Sequence, residues 1–426
     1  MPAGRGWMHR SIDSVEVRAW DQLVGAVALD PKLGFYAFEY APAFIRTGIE
    51  LAPLAMPLAA AQRGPFIFPG LSELTYKRLP AMLADSLPDD FGNRLINAWM
   101  ANQGLAAADI TALDRLAYMG KRAMGALEFR PVRGPRPGPA GAIVLSDLIE
   151  SLRRPTAAAA LKQLLSVGTS AGGARAKAVI AWNPRTDEIR AGQFDVDPGF
   201  EHWILKFDGI GTDNEPGEPH GQGRIEYAYH LMALQAGIYM SPCRLLERDG
   251  RAHFMTKRFD RDGNHKLHTQ TLCGMAQLDY KARGVHDYSQ LFSAMRQLRM
   301  PAAAFEQAFR RVAFNVMASN CDDHSKNISF ILKAPDQWAL APAYDLIYAH
   351  NPKAAWTYQH LIAVNGKFND IGRADLLMLA DRFQIGAASK LLAQVLEAVA
   401  AWPDFAARAS LSASAVERIR AHQLLL

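Results

Sequence analysis

Cysteine is scarce in this 426-residue chain. Cys243, Cys273 and Cys321 stand far apart and form no CxxC pair, which argues against a disulfide framework or a zinc site and suits a reducing cytoplasm. Long apolar runs are missing too. The most hydrophobic early stretch, Leu51 to Ala61, is short and interrupted by Pro53 and Pro57, and Met1 to Arg10 leads into no apolar h-region. Neither a membrane span nor export is expected. Charge of one sign is in small excess, with a formal net charge of +5 and a pI near 9.0, which suits anionic partners without demanding them. There is no internal repeat. Two phosphate-binding fingerprints fail on single residues: Ala174 stands where a Walker A lysine would follow Gly173, and Asn214 takes the third glycine place after Phe207-Asp208-Gly209-Ile210-Gly211.

What remains is an ordinary globular balance, half hydrophobic and about a fifth charged, long enough for two or three domains. Short apolar runs from Val15 to Tyr40, with Gly25 and Asp30-Pro31 as breaks, predict antiparallel strands, followed by a helix near Asp89 to Asn102. The Pro- and Gly-dense run Pro131 to Pro139 marks a boundary. An alanine-rich helix, Thr156 to Leu165, comes next. Strands over Lys177 to Trp182 and His202 to Phe207, a helix near Arg224 to Gly237, and strands around Arg244 and Phe254 to Phe259 complete an α+β layer. The remainder reads as all-helical, with Phe305, Phe309, Val312 and Val316 at i, i+4, i+7 and i+11 on one buried face. Later helices are expected over Ala374 to Phe383, Ala388 to Ala401 and Ala413 to Leu424. The domains are drawn as 1–140, 141–262 and 263–426, a sheet-bearing lobe and a helical lobe behind an N-terminal α/β subdomain.

The chemistry concentrates in Asn320-Cys321-Asp322-Asp323-His324-Ser325-Lys326-Asn327 and in Tyr344-Asp345-Leu346. An aspartate five residues before an asparagine, with a second carboxylate one strand-turn-strand later, is what phosphoryl transfer requires. Asp322 would orient the acceptor hydroxyl, while Asn327 and Asp345 would hold Mg²⁺. Lys326 could neutralise the moving phosphoryl, and His324 would brace the loop. A polar turn capping the preceding helix is the bland alternative.

Upstream, Ser166 to Lys177 mixes small residues with Arg175 and Lys177, so backbone N–H groups and positive charge could approach phosphate. In Trp203-Ile204-Leu205-Lys206-Phe207 a single lysine sits in a strand otherwise fit for burial, where an ammonium needs an anion. A nucleotide phosphate, helped by a helix carboxylate such as Glu226, would serve. The stretch from Asp208 to Gly223 reads as an acidic surface loop. His220, His230, His253, His265 and His268 show no metal-ligand spacing.

Together these motifs resemble the HipA family of bacterial serine/threonine kinases, the toxin halves of type II toxin–antitoxin pairs. The likeness spans nearly the whole chain, including Leu83-Ala84-Asp85-Ser86-Leu87-Pro88-Asp89. The resemblance implies a protein-kinase-like bilobal fold, ATP and Mg²⁺ as cofactors, Asp322 as catalytic aspartate, Asn327 and Asp345 as metal ligands and Lys206 as the phosphate lysine. It makes Ser170, Ala171, Gly172, Gly173 and Ala174 the nucleotide loop, with either Arg175 or Lys177 meeting phosphate, and Ser170 the site of inactivating autophosphorylation. Lys257 and Phe259 would meet adenine through backbone, and Asp260 the ribose. The implied partners are a protein substrate, with aminoacyl-tRNA synthetases one candidate class, and a HipB-like helix-turn-helix antitoxin through which DNA is reached. Two other readings stand beside it: a small-molecule or lipid kinase, since Asp-x-His-x-x-Asn also resembles the phosphoinositide-kinase family, and a corepressor acting through such an antitoxin.

Overall fold

The computed structural model describes residues 12–88, 90–134, 143, 147–148, 168, 175–211, 221–248 and 250–426. Strands β1 (Ser14–Ala19), β2 (Gln22–Leu29), β3 (Tyr36–Tyr40) and β4 (Glu128–Arg130) form an antiparallel sheet in the order β3-β2-β1-β4. Alternation drives it: Val15, Val17 and Ala19 are fully buried between more exposed neighbours. Trp20 and Asp21 both have positive φ, the backbone that a tight hairpin turn needs. Gly25 does not break a strand. It lies inside β2, where the backbone of β3 comes so close that a Cβ would sit 2.1 Å from the Glu39 carbonyl oxygen.

A second antiparallel sheet has the order β6-β5-β7-β9-β8, from β5 (Arg175–Trp182), β6 (Ile189–Ala191), β7 (Glu201–Gly211), β8 (Cys243–Arg248) and β9 (Arg251–Lys257). The helix Gln222–Gln235 packs on it. Asp208, buried within β7, accepts hydrogen bonds from Gly221 N at 3.0 Å and Gly223 N at 3.4 Å, so its carboxylate anchors the start of that helix.

The second half is not all-helical. Strands Thr269–Thr271, Ser329–Ala334 and Gln337–Leu340 form a three-stranded antiparallel sheet, and two of them flank the chemistry-bearing loop. Around it stand the helices Tyr288–Gln297, Ala302–Met317, Arg373–Arg382, Ala388–Ala400 and Ala413–Arg420, as expected, and Trp402–Arg408, which was not. Phe309, Val312 and Val316 are fully buried and Phe305 partly so. The expected helix Thr156–Leu165 and most of the Pro131–Pro139 run lie outside the described residues. No helix among the described residues is long and apolar enough to cross a membrane.

Candidate active site

The loop that carries Asp322 begins where helix Ala302–Met317 stops. Ser319 turns left-handed with φ 54°. Asn320 N then donates to Asn315 O at 2.9 Å, and Cys321 N to Ala349 O at 3.1 Å. Side chains fix the rest. Asp323 is buried and accepts from the Tyr288 hydroxyl at 2.8 Å, the His360 ring at 3.0 Å and Leu361 N at 2.8 Å. Ser325 Oγ donates to Leu278 O at 2.6 Å. A buried carboxylate with this many donors holds the loop in one geometry.

Asp322 is less enclosed, its side chain 34 % exposed. Asn327 Nδ2 donates to the Asp322 carbonyl at 2.8 Å, which orients the carboxamide with its oxygen available as a ligand. Burial pushes the Asp322 carboxyl above the usual carboxylate range, opposed by His324 and the Trp356 hydrogen bond and reinforced by the charges of Asp345 and Asp323. His324 Nε2 lies 3.7 Å from Asp322 Oδ1, with its ring against Tyr280 and Trp356. Lys326 Nζ lies 5.0 Å from the Tyr280 ring centre, and its charge acts on Asp85.

Asp345 approaches along the segment after the hairpin Ser329–Leu340 and adopts φ 52°. Ala341 O accepts from Arg311 Nη2 at 2.7 Å and Ala343 N donates to Tyr239 O at 2.8 Å, which steers the segment back towards the five-stranded sheet. There Lys206 Nζ bonds Glu226 Oε1 at 2.5 Å and also bonds Asp345. Lys177 and Lys206 are directly opposed across β5 and β7, so two ammonium groups share one face. Like charges so placed repel unless an anion lies between them. Burial works against the Asp345 charge, yet Lys206 and Lys177 outweigh it and hold the carboxyl down to about 2. Burial would likewise lower Lys206, but Asp345 and Glu226 raise it above its ordinary value. One lysine thus ties a strand, a helix carboxylate and the Asp345 segment together, and the Asp345 charge is felt by Asp322.

Other site expectations fare differently. Ser170, Ala171, Gly172, Gly173 and Ala174 lie outside the described residues, and of Arg175 only the backbone is described. Lys177 is 5 % exposed and acts on Asp345. Lys257 ends β9, its amide donating to Pro242 O at 2.9 Å and its ammonium to Glu201 at 2.6 Å. The Phe259 ring lies 5.8 Å from that of Tyr344. Asp260, expected at the ribose, is engaged within the protein. It is wholly buried, and its carboxylate is taken up by Arg258 at 2.7 and 2.8 Å, Arg261 at 2.8 Å and Gly125 N at 2.7 Å. These partners hold its pKa far down against burial, and its carboxylate links the segment before β4 to the one after β9.

Sequence reasoning gave no role to three participants. Trp356 donates from Nε1 to Asp322 Oδ1 at 2.7 Å. The Tyr344 hydroxyl donates to Lys326 O at 2.6 Å. Asp85 of the N-terminal unit accepts from Thr271 N and Oγ1, both at 2.7 Å. The DDHSKN pattern signals the loop but not what packs on it from elsewhere; Asp85 and Tyr344 had a signal, inside the Leu83–Asp89 and Tyr344-Asp345-Leu346 motifs, and Trp356 had none.

A largely buried lysine bonded to a helix glutamate and to a second carboxylate, whose charge reaches a loop aspartate, is an arrangement a kinase-type site would use. The HipA-like C-terminal domain family matches residues 169–403, and the HipA N-terminal domain family matches residues 15–130. The chain therefore belongs to the HipA family, toxin kinases of toxin–antitoxin systems that are protein serine/threonine kinases and use ATP. Among solved structures it is similar to the HipA of Shewanella oneidensis MR-1, solved with HipB and operator DNA. That match has 18 % identity over 96 % of this chain and 95 % of the other, with a TM-score of 0.69. A proinflammatory kinase of Helicobacter pylori, CtkA, matches at 13 % identity over 57 % of this chain and 94 % of the other, TM-score 0.34. No curated protein sequence matches.

Proposed function

We propose that the protein transfers the γ-phosphoryl group of ATP to a serine or threonine hydroxyl of a cellular protein and thereby arrests growth. Asp322 accepts or orients the hydroxyl proton, and burial, which raises its affinity for that proton, favours the role. Lys206 and Lys177 meet the phosphates, with Glu226 positioning Lys206. Asp345 and Asn327 would hold Mg²⁺, which neutralises charge on the phosphate oxygens. A carboxylate and a carboxamide oxygen are the hard donors that ion takes, few in number because water and phosphate supply the rest. The observation that carries the reading is the Lys206 ammonium bonded at once to Glu226 and Asp345, with the Asp345 charge reaching Asp322.

The nucleotide loop is assigned to Ser170–Ala174, with Ser170 the self-phosphorylated residue. The domain limits are assigned to 1–140, 141–262 and 263–426, and the site of action to the cytoplasm. A HipB-like antitoxin is the partner, through which operator DNA is reached; the Shewanella protein of like fold was solved with both. The test is Asp322→Ala. It should keep the fold and lose roughly 100-fold or more in transfer rate, the scale of a removed general base, and induced cells should grow. Phosphoproteomics of cells expressing wild type beside this variant should reveal serine or threonine sites present only with wild type. Growth arrest by Asp322→Ala equal to wild type would remove the assignment.

A further inference from the structure

The carboxylate of Asp322 is not free to rotate. Its Oδ1 accepts the indole N–H of Trp356 at 2.7 Å, and His324 Nε2 stands 3.7 Å from the same oxygen. Oδ2 takes part in neither contact. Trp356 is itself held by a built turn: Asn351 N donates to Thr357 O at 3.1 Å, Ala354 N to Asn351 O at 3.0 Å and Lys353 N to Asn351 Oδ1 at 3.0 Å. From outside, Arg283 Nη1 donates to Ala355 O. His324 lies between the Tyr280 ring at 5.4 Å and the Trp356 ring at 6.4 Å, centre to centre. The side chain nearest the reacting group is thus fixed by a segment that follows the metal-binding carboxylate in the chain.

We propose that Trp356 is a positioning residue for phosphoryl transfer, holding one oxygen of Asp322 so that the other faces the acceptor hydroxyl. The inference rests on the reading of Asp322 as the group that orients that hydroxyl. The indole N–H suits the task because it is a donor only. It can neither accept the substrate's proton nor turn round to offer a lone pair, so it selects a carboxylate rotamer without competing as a base. A second donor that could also accept, such as a hydroxyl, would let the pair rotate together. Because transfer depends on the reacting atoms being within a fraction of an ångström of alignment, loss of this one bond acts on the chemical step and leaves nucleotide binding alone.

The test follows transfer of labelled γ-phosphoryl from ATP to phosphatase-treated cell-lysate protein by the full-length chain. Trp356→Phe should lower the maximal rate about tenfold with KM for ATP unchanged, a modest share of the loss that misalignment can cause. Replacement of Trp356 by 3-benzothienylalanine keeps the bicyclic shape and puts sulfur, which cannot donate, in place of the N–H. It should lose as much, and it decides the matter should the phenylalanine variant fold poorly. In an Asp322→Asn background, Trp356→Phe should cost no further rate, because the carboxylate it positions is gone. A benzothienyl variant at the wild-type rate, a rise in KM with unchanged maximal rate, or a full further loss on top of Asp322→Asn would overturn the inference. If instead Asp322→Ala labels protein as well as wild type does, or wild type labels none, it is the reading of Asp322 that falls.

Discussion

Replacing Lys206 by methionine would remove an ammonium that two carboxylates share, one of them Glu226, whose side chain is 2 % exposed. Breaking a buried pair from one side strands the other charge in a medium that solvates it poorly, at a cost of about 3 kcal/mol. We expect Lys206→Met to lose stability on that scale in urea unfolding as well as losing transfer. Adding Glu226→Gln to it should restore most of the loss, since the stranded carboxylate is then neutral; strictly additive losses would show that the two side chains are not coupled. The sequence exposed this pair because a lone lysine in an apolar strand demands an anion. Asp260 shows the converse. Nothing local reveals that Gly125, 135 positions earlier, spends an N–H on that carboxylate. Trp356 was invisible in the same way, lying in a turn with no periodicity.

At the scale of elements, the short helix Leu272–Ala276 shows why a glycine can matter where its backbone is ordinary. A Cβ on Gly274 would fall 2.6 Å from Asp85 Oδ2 and 2.9 Å from Asp85 Cβ. Asp85 has little room to give way, because Thr271, the residue capping that helix, donates to both its oxygens. Alanine gains about 1 kcal/mol in helix propensity over glycine, but crowding a packed contact costs about 1–3 kcal/mol. Gly274→Ala should therefore destabilise the protein in thermal unfolding, and the same change made on Asp85→Ala should be neutral or stabilising. A loss of equal size in both backgrounds would refute the clash. The elements were legible where period and length agreed, as in β1, in β5 and in the helix carrying Phe309, Val312 and Val316. The three-stranded sheet was not, because Thr269–Thr271 spans three residues and finds its partner, Ser329–Ala334, almost sixty positions on. Strand pairing at that separation leaves no mark on either local pattern.

The whole molecule depends on the N-terminal unit being seated against the half that carries Asp322. Glu50 N donates to Pro335 O at 2.7 Å, Trp338 Nε1 to Glu50 O at 3.0 Å, and the Tyr76 hydroxyl to Cys273 O at 3.2 Å. At the centre of this seam, Leu51 O meets the His268 ring at 3.1 Å and also Gln270. His268 is 1 % exposed, and burial pulls its pKa from 6.5 down to about 4 against the help of the Leu51 carbonyl. The folded protein thus keeps this ring neutral at pH values where the unfolded chain would protonate it. Since the unfolded state binds more protons, the contribution of His268 is complete above pH 6.5 and is lost as the pH falls towards 4, amounting to about 3 kcal/mol in all. His230, buried and also lowered to about 4, adds a slope of the same sign, so the informative quantity is the difference between two proteins. His268→Gln should be less stable than wild type at pH 7 by urea unfolding, and that gap should shrink by about 2–3 kcal/mol between pH 7 and pH 4, because the variant has no ring to protonate. A gap that stays constant over this range would mean that His268 titrates alike in the folded and unfolded chains, and that the seam is insensitive to acid at this position.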